Sequence, residues 1–334
     1  MNLHIKKPFV SVVIPCRNEE KFIGKCLDSV IANDYPKDNL EILVIDGMSD
    51  DGTREIINEY VKRYPFIKLL DNPKKFIPFA LNIGIKNAKG EIIARMDTHS
   101  VYNKDYISKC IKYIEEYKAD NVGGICKIIP SKKTLINKAI ALVSSSFLGA
   151  GNAYFRTGHL KKARLADTVF SGCYKKEVFN RIGLYDENIL RSEDLTFNLK
   201  LKKAGGKILL VPDIITYYYP KSTLKEFFKH NFLDGIWTIY PLKFGLSLKL
   251  RHYIPLIFIL SLIVPLIFSF FFKPMIYLFL FIISLYLITS LFFSISIAIR
   301  KKDFGLFFTL PLSFACRHFG YGLGSLFGFI KLFF

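Results

Sequence analysis

The chain has 334 residues, 51% of them hydrophobic, with a formal charge of +19 and a mean hydropathy of +0.27. At about 150 residues per domain there is room for two domains, and the apolar content excludes a disordered chain or a wholly soluble basic protein. The charge draws polyanions or anionic lipid, which leaves nucleic acid, phosphorylated substrates and the cytoplasmic leaflet open together.

From the amino end, MNLHIKKPFVSVVIPC has a basic start, but its apolar stretch is short, broken by Pro15 and followed by no small-residue cleavage site. A cleaved secretion signal is not expected. Residues 1–220 then alternate short β-branched runs with amphipathic stretches: FVSVVIP, KFIGKCLDSVIAND, LEILVID, DGTREIINEYVKRY and IKLLD. This βαβαβ series predicts an α/β domain with a parallel sheet, helices on both faces and a ligand crevice outside the carboxyl ends of the strands.

Candidate functional residues are therefore those that follow strands. VVIP ends in Pro15-Cys16-Arg17-Asn18-Glu19-Glu20, where Asn18 can cap the next helix and Glu19 favour its first turn. EILVID ends in Asp46, and an acid after the second strand of such a unit can bind a ribose or base edge, whereas Asp51 and Thr53 read as helix caps. In GEIIARMDTHS, Asp97 and His99 stand two apart at a strand end. Extended geometry turns both to one side, where they can share a divalent ion bridging a diphosphate, although a D-x-H alone also suits an ordinary loop. Lys74, Lys75 and Arg95 flank the same strand ends. The lysines read first as solvated surface charges, while Arg95 sits inside an apolar run where an unpaired charge is costly. Glu193 and Asp194 precede the helix TFNLKLKKAG, either to complement its dipole or to supply a general base.

Six cysteines lie far apart with no C-x-x-C pair and read as reduced thiols. Residues 221–252 mix lysines with aromatic residues, including Trp237 and Tyr240, and predict interfacial amphipathic helices. A C-terminal membrane region follows over 253–334. Residues 253–272 and 275–299 are uncharged runs of roughly 20 residues or more, enough to cross a hydrocarbon core of about 30 Å. Lys243, Lys249, Arg251 and the Arg300-Lys301-Lys302 cluster flank this pair, which predicts a hairpin with its ends in the cytoplasm and Lys273 opposite. Over 304–330, Arg317, His318 and four glycines interrupt the apolar pattern, and spanning, dipping in and lying at the interface all stay open.

These residues resemble glycosyltransferase family 2, membrane-attached enzymes of the GT-A fold that use nucleotide sugars. VVIPCRNEE, ILVIDGMSDDGT, GEIIARMDTHS, the FSGCYKKEVFNRIGLYDE block and RSEDLTFNLKLKKAGGKILLVPD stand in family order over about residues 8–213. The tail is similar to bacterial succinoglycan-type glycosyltransferases. The resemblance implies a Rossmann-like GT-A nucleotide-binding domain over 1–220 and a multi-pass cell-membrane protein with its catalytic domain on the cytoplasmic side. It implies an inverting transfer from a nucleotide-diphosphate sugar to a hydroxyl of a lipid-linked or membrane-associated glycan acceptor. Asp194 is then the catalytic base. Pro15, Arg17, Glu19, Asp46, Lys75, Arg95 and Asp97 meet the donor, and Asp97 with His99 holds Mn²⁺ or Mg²⁺. His99 replaces the second acid of the family's D-x-D, and imidazole suits Mn²⁺ better than Mg²⁺. Gly47 stands where many members have a second Asp. No Q-x-x-R-W signature is present, so polymer extrusion is not implied, and nucleic acid is not an expected partner. Two alternatives are transfer to a polyprenyl phosphate, which needs no general base, and a non-enzymatic basic module tethered to the membrane.

Overall fold

The structure is a computed structural model that describes residues 7–333. In chain order its elements begin β1 (Val10–Cys16), α1 (Ile23–Ile31), β2 (Leu40–Asp46), α2 (Thr53–Arg63), β3 (Ile67–Asp71), α3 (Ile77–Asn87), β4 (Ile92–Arg95), β5 (Ser100–Tyr102), α4 (Tyr106–Tyr117) and β6 (Asn121–Ile128). Next come α5 (Leu135–Ser145), α6 (Phe147–Ala150), α7 (Tyr154–Thr157), β7 (Arg164–Leu165), β8 (Phe170–Lys175), α8 (Glu177–Ile182), α9 (Glu193–Lys203) and β9 (Ile208–Tyr218). The chain closes with α10 (Leu224–Ile239), α11 (Leu250–Phe268), α12 (Pro274–Lys301) and α13 (Leu306–Ile330).

Two compact units result, one holding residues up to Lys127 with Gly158–Tyr218, the other Ile128–Thr157 with Tyr219–Phe334. The first is built on one sheet ordered β3-β2-β1-β4-β8-β6-β9-β5, with β7 beside β9. β1 and β2 are buried along their whole length, as expected of central parallel strands covered on both faces. Parallel register sets Cys16 beside Asp46 and Asp46 beside Asp71, while Val13 pairs with Arg95. The carboxyl ends of β1, β2, β3 and β4 therefore open on one edge. β8 runs antiparallel to β4, with Cys173 opposite Ala94, which brings the start of β8 to that same edge. All six cysteines are free.

The second unit is helical. Ala139 and Val143 of α5, Phe227 of α10, Ala298 of α12 and Leu310 and Phe314 of α13 share one core. The segment 128–157 joins this unit although it lies between strands of the other, a grouping that the alternation of elements in sequence does not display. α11 and α12 are long and apolar enough to cross a membrane by length and composition. Tyr277, Phe281, Ile288 and Phe292 stand exposed along α12.

α13 is one continuous helix of 25 residues despite its glycines, because those glycines pack. A Cβ on Gly320 would stand 3.0 Å from the Phe228 carbonyl oxygen and one on Gly328 2.6 Å from that of Ile236, with Gly324 likewise against Phe232. Matching four-residue steps mean that α10 and α13 run parallel at backbone contact, the small-xxx-small mode of helix pairing. Gly324→Leu is expected to cost about 1–3 kcal/mol through overpacking. A thermal melt of the detergent-solubilised chain checks this, and an unchanged midpoint would contradict the close approach.

Candidate active site

The loops after β1 and β2 are laced together. The Asn18 amide N–H donates to Ser49 Oγ at 2.8 Å, and its side chain exchanges two hydrogen bonds with Asp50, at 2.7 and 3.1 Å. The Glu19 N–H donates to Thr53 Oγ1 at 2.7 Å, and Asp51 accepts from the Thr53 N–H at 3.0 Å, so Asp51 serves the start of α2 as its sequence position suggests. Asn18 does not cap α1, whose N-cap position is Phe22 without a side-chain bond. With φ of 55°, Asn18 turns away to bind the neighbouring loop instead.

Asp46 is fully buried at the end of β2. It accepts from the Ser49 hydroxyl at 2.5 Å and the Ser49 N–H at 3.0 Å, and pairs with Arg54 Nη1 at 2.6 Å. Arg54 also reaches Asp71 at 2.8 Å, tying the ends of β2 and β3 together. Hydrogen bonds to Asp46 and then Asp71 raise the Arg54 pKa above its ordinary value. Gly47 fits between Arg17 and Lys75: a Cβ there would lie 3.1 Å from Arg17 Cβ and 3.2 Å from the Lys75 carbonyl oxygen. Arg17 and Lys75 are thereby brought to the two sides of the β2 end with exposed side chains, Lys74 is exposed beside them, and Pro15 is buried within β1 opposite Ile45.

At the end of β4, Arg95 Nη2 donates to Glu193 Oε1 at 2.7 Å and lies 3.4 Å from Asp97 Oδ1. The Arg95 side chain is 11% exposed and that of Glu193 4%, so this is a buried pair whose separation would strand a charge. Burial pulls the Arg95 pKa down, but the carboxylates of Asp97, Glu193 and Asp194 hold it well above the ordinary value. The Glu193 pKa is raised, first by burial, against the pull of Arg95 and with the repulsion of Asp194. Nε and Nη1 of Arg95 are sealed without a partner among the described residues. Asp194, at the start of α9 after Ser192 with φ of 55°, accepts from the Leu195 N–H at 2.8 Å through Oδ1. Its Oδ2 makes no hydrogen bond among the described residues.

Asp97 is held by its backbone: its N–H donates to the Tyr102 hydroxyl at 2.7 Å. Tyr102 shares a hydrogen bond of 2.9 Å with Ser171, whose Oγ lies 3.5 Å from Asp97 Oδ2 and whose carbonyl accepts from the Tyr106 hydroxyl. His99 Nε2 pairs with Glu19 Oε1 at 2.9 Å and its ring lies 4.3 Å from that of Phe22, while Nδ1 is sealed without a partner. Glu19 therefore faces His99 across the edge. Of the seven described non-glycine residues with positive φ, four (Asn18, Met48, Lys75 and Ser192) lie in these loops and a fifth, Ser171, at the start of β8. Strain of this kind persists where the surrounding structure over-determines it, and collects at functional sites.

The structure thus brings Arg95, Asp97 and the Glu193-Asp194 pair together on one side, and Arg17, Asp46 and Lys75 on the other. Arg54, Tyr102, Tyr106 and Ser171 do not stand out in the sequence. The one signal for Arg54 is a cation in the first turn of the helix that follows an acidic strand end. No three His, Cys, Asp or Glu side chains among the described residues form a cage for a metal. Asp97, a carboxylate with only long contacts, and His99, an imidazole with an orphaned nitrogen, are oxygen and nitrogen donors of the kind a borderline ion accepts.

The sequence model described as Glycosyl transferase family 2 matches residues 11–183. The chain is 34% identical over 235 residues to the dolichyl N-acetyl-alpha-D-glucosaminyl phosphate 3-beta-D-2,3-diacetamido-2,3-dideoxy-beta-D-glucuronosyltransferase of Methanococcus voltae, covering 68% of this chain and 72% of that one. It is 29% identical over 252 residues to the succinoglycan biosynthesis protein ExoA of Rhizobium meliloti (strain 1021), covering 69% and 74%. The solved structure of the mannosyltransferase PcManGT from Pyrobaculum calidifontis, in complex with GDP-Man and Mn²⁺, matches with a TM-score of 0.60 at 16% identity, covering 95% of this chain and 88% of that one. That likeness concerns the fold, a GT-A-like sheet domain followed by C-terminal helices. The chain belongs to glycosyltransferase family 2 and is an enzyme that transfers a sugar from a nucleotide sugar in glycan synthesis.

Proposed function

We propose that the chain is an inverting glycosyltransferase attached to the membrane by the α11–α12 hairpin, its sheet unit on the cytoplasmic side, with a lipid-linked glycan as acceptor. The acceptor hydroxyl attacks the anomeric carbon in line while Asp194 takes its proton and the nucleoside diphosphate leaves. Arg17, Asp46 and Lys75, with Pro15 and Glu19, form the side that receives the nucleotide. Arg95 supplies fixed positive charge beside the departing group and holds Glu193, and so the start of α9, in place. Held by Asp97 and His99, a divalent ion would supply Lewis-acid stabilisation of the leaving diphosphate.

The observation that carries this reading is the Arg95 guanidinium shared by Glu193 and Asp97. It joins the D-x-H loop to the helix start bearing Asp194, leaving one carboxylate oxygen there uncommitted. The lipid-linked acceptor is supported by the dolichyl phosphate in the name of the Methanococcus voltae relative and by two helices of membrane-spanning length. The test is to offer the purified chain a panel of nucleotide sugars with membrane lipid extract and follow nucleoside diphosphate release. Release that needs both extract and Mn²⁺, and stops with chelator, is expected; no release from any donor would overturn the reading.

His99→Ala is expected to weaken the Mn²⁺ dependence of donor binding, and His99→Asp to restore activity with preference moved toward Mg²⁺, since a carboxylate is the harder ligand. Titrating both metals in each variant decides it. An unchanged Mn²⁺ response in His99→Ala would leave His99 only its structural bond to Glu19.

A further inference from the structure

The segment that leads into α9, and so to Asp194, is held by a side chain outside the site described above. Residues 183–192, between α8 and α9, form neither helix nor strand, so no ladder of their own fixes the approach to Asp194. Asn82, buried in α3, does so instead. Its Nδ2 donates to the Tyr185 carbonyl oxygen at 2.9 Å and to Glu187 Oε1 at 3.0 Å, and its Oδ1 accepts from the Tyr185 N–H at 3.0 Å. One amide thus satisfies both backbone groups of a buried residue, which requires a side chain that donates and accepts at once.

The Tyr185 ring passes this hold on to α9. It stacks on the Phe197 ring, with centroids 4.5 Å apart and 30° between the planes, and Phe197 is buried three residues after Asp194. Farther along, the fully buried Asn198 accepts from Asn121 Nδ2 at 3.0 Å and from the Tyr174 hydroxyl at 3.2 Å, and donates to Thr168 Oγ1 at 2.9 Å. Those bonds tie the body of α9 to β6 and β8. The first turn, which carries Asp194, rests on the Arg95-Glu193 pair and on the Tyr185 contact.

The other end of α3 belongs to the nucleotide side. Lys75 and Phe76 lead directly into it, and Asn72 joins them to β2: its N–H donates to the Asp46 carbonyl oxygen at 2.8 Å and its Nδ2 to that of Phe76 at 2.9 Å. α3 also lies hard against β1 and β2, since a Cβ on Gly84 would stand 2.4 Å from Val13 Cγ1 and 2.9 Å from Ile45 Cδ1. One helix therefore runs from the Asp46 and Lys75 loops to the approach of Asp194. We propose that Asn82 is a positioning residue for the transfer, fixing Asp194 relative to the nucleotide side through Tyr185. This rests on the base reading given above and gives that base its support; misplacement by about 1 Å from a distant change can cost on the order of 10²-fold in rate.

The test is a double-mutant cycle on the full chain in detergent, using membrane lipid extract and the nucleotide sugar that supports release in the donor panel. Turnover is taken per mole of donor-binding sites, so that unfolded protein does not count. Asn82→Ala should lower turnover at least tenfold with the donor KM within twofold of wild type. In the Asp194→Asn background the same change should cost less than twofold, because residues that act as one unit are not additive. Tyr185→Leu should repeat both results while leaving the Asn82 bonds to the backbone in place, and Tyr185→Phe, which keeps the ring, should retain most of the turnover. These two variants decide the matter if Asn82→Ala does not fold. Unchanged turnover per site in Asn82→Ala and Tyr185→Leu, or a tenfold loss repeated in the Asp194→Asn background, would overturn the positioning role and leave the base reading standing. Wild-type turnover in Asp194→Asn, or no release from any donor, would sink the base reading and this inference with it.

Discussion

Asp194→Asn is expected to lower turnover by about 10²- to 10⁴-fold, the usual worth of general base catalysis, while leaving the fold and donor binding intact. Asparagine keeps the side-chain oxygen that accepts from the Leu195 N–H but loses the basic carboxylate. If Asp194 serves only to complement the dipole of α9, the change should cost a few tenths to about 1 kcal/mol of stability and spare turnover. Turnover within threefold of wild type, with a lowered melting point, would remove Asp194 from the chemistry. The other acids nearby are poorer bases, because Glu193 is committed to Arg95 and Asp167 to Lys202.

Arg95→Met should be the most damaging single change to the stability of the sheet unit. It strands the buried Glu193 carboxylate, and breaking a buried pair from one side costs about 3–5 kcal/mol, or roughly 6–20 °C in melting temperature. The deficit should depend on pH. Burial already raises the Glu193 pKa while Arg95 opposes that rise, so without Arg95 it climbs further. A carboxyl whose folded pKa exceeds its unfolded value, about 4.3, favours the fold below that value and loses this contribution as pH rises through the folded pKa. The Arg95→Met deficit should therefore be larger at pH 8 than at pH 5. Arg95→Met combined with Glu193→Leu removes both charges and should recover most of the lost stability. Melting curves of the two variants at both pH values check this; a deficit that does not change with pH would mean that Glu193 is not stranded.

Much of the sheet unit is legible in the sequence because β1 and β2 are largely apolar runs, interrupted only by Ser11 and Glu41 before they end in polar clusters, the mark of buried parallel strands. That regularity points to the loops containing Arg17, Asp46 and Asp97 before any coordinates are considered. What local pattern does not carry is pairing across distance. The Tyr102-Ser171 contact depends on β8 lying antiparallel beside β4, separated by the excursion 128–157 into the other unit. By residue type Asn18 suits a helix cap, yet the adjacent loop offers it Ser49 and Asp50. In the tail, the glycines of α13 look like helix breaks to a reader of sequence, but α10 makes them contact points.

The most direct test of the account is the anomeric configuration of the product formed from an isotopically labelled nucleotide sugar and membrane lipid extract, read by NMR together with the mass of the labelled lipid. Transfer in one displacement assisted by Asp194 predicts a lipid-linked product with the anomeric configuration opposite to that of the donor. A product that retains the donor's configuration, or label found only in free sugar, would contradict it.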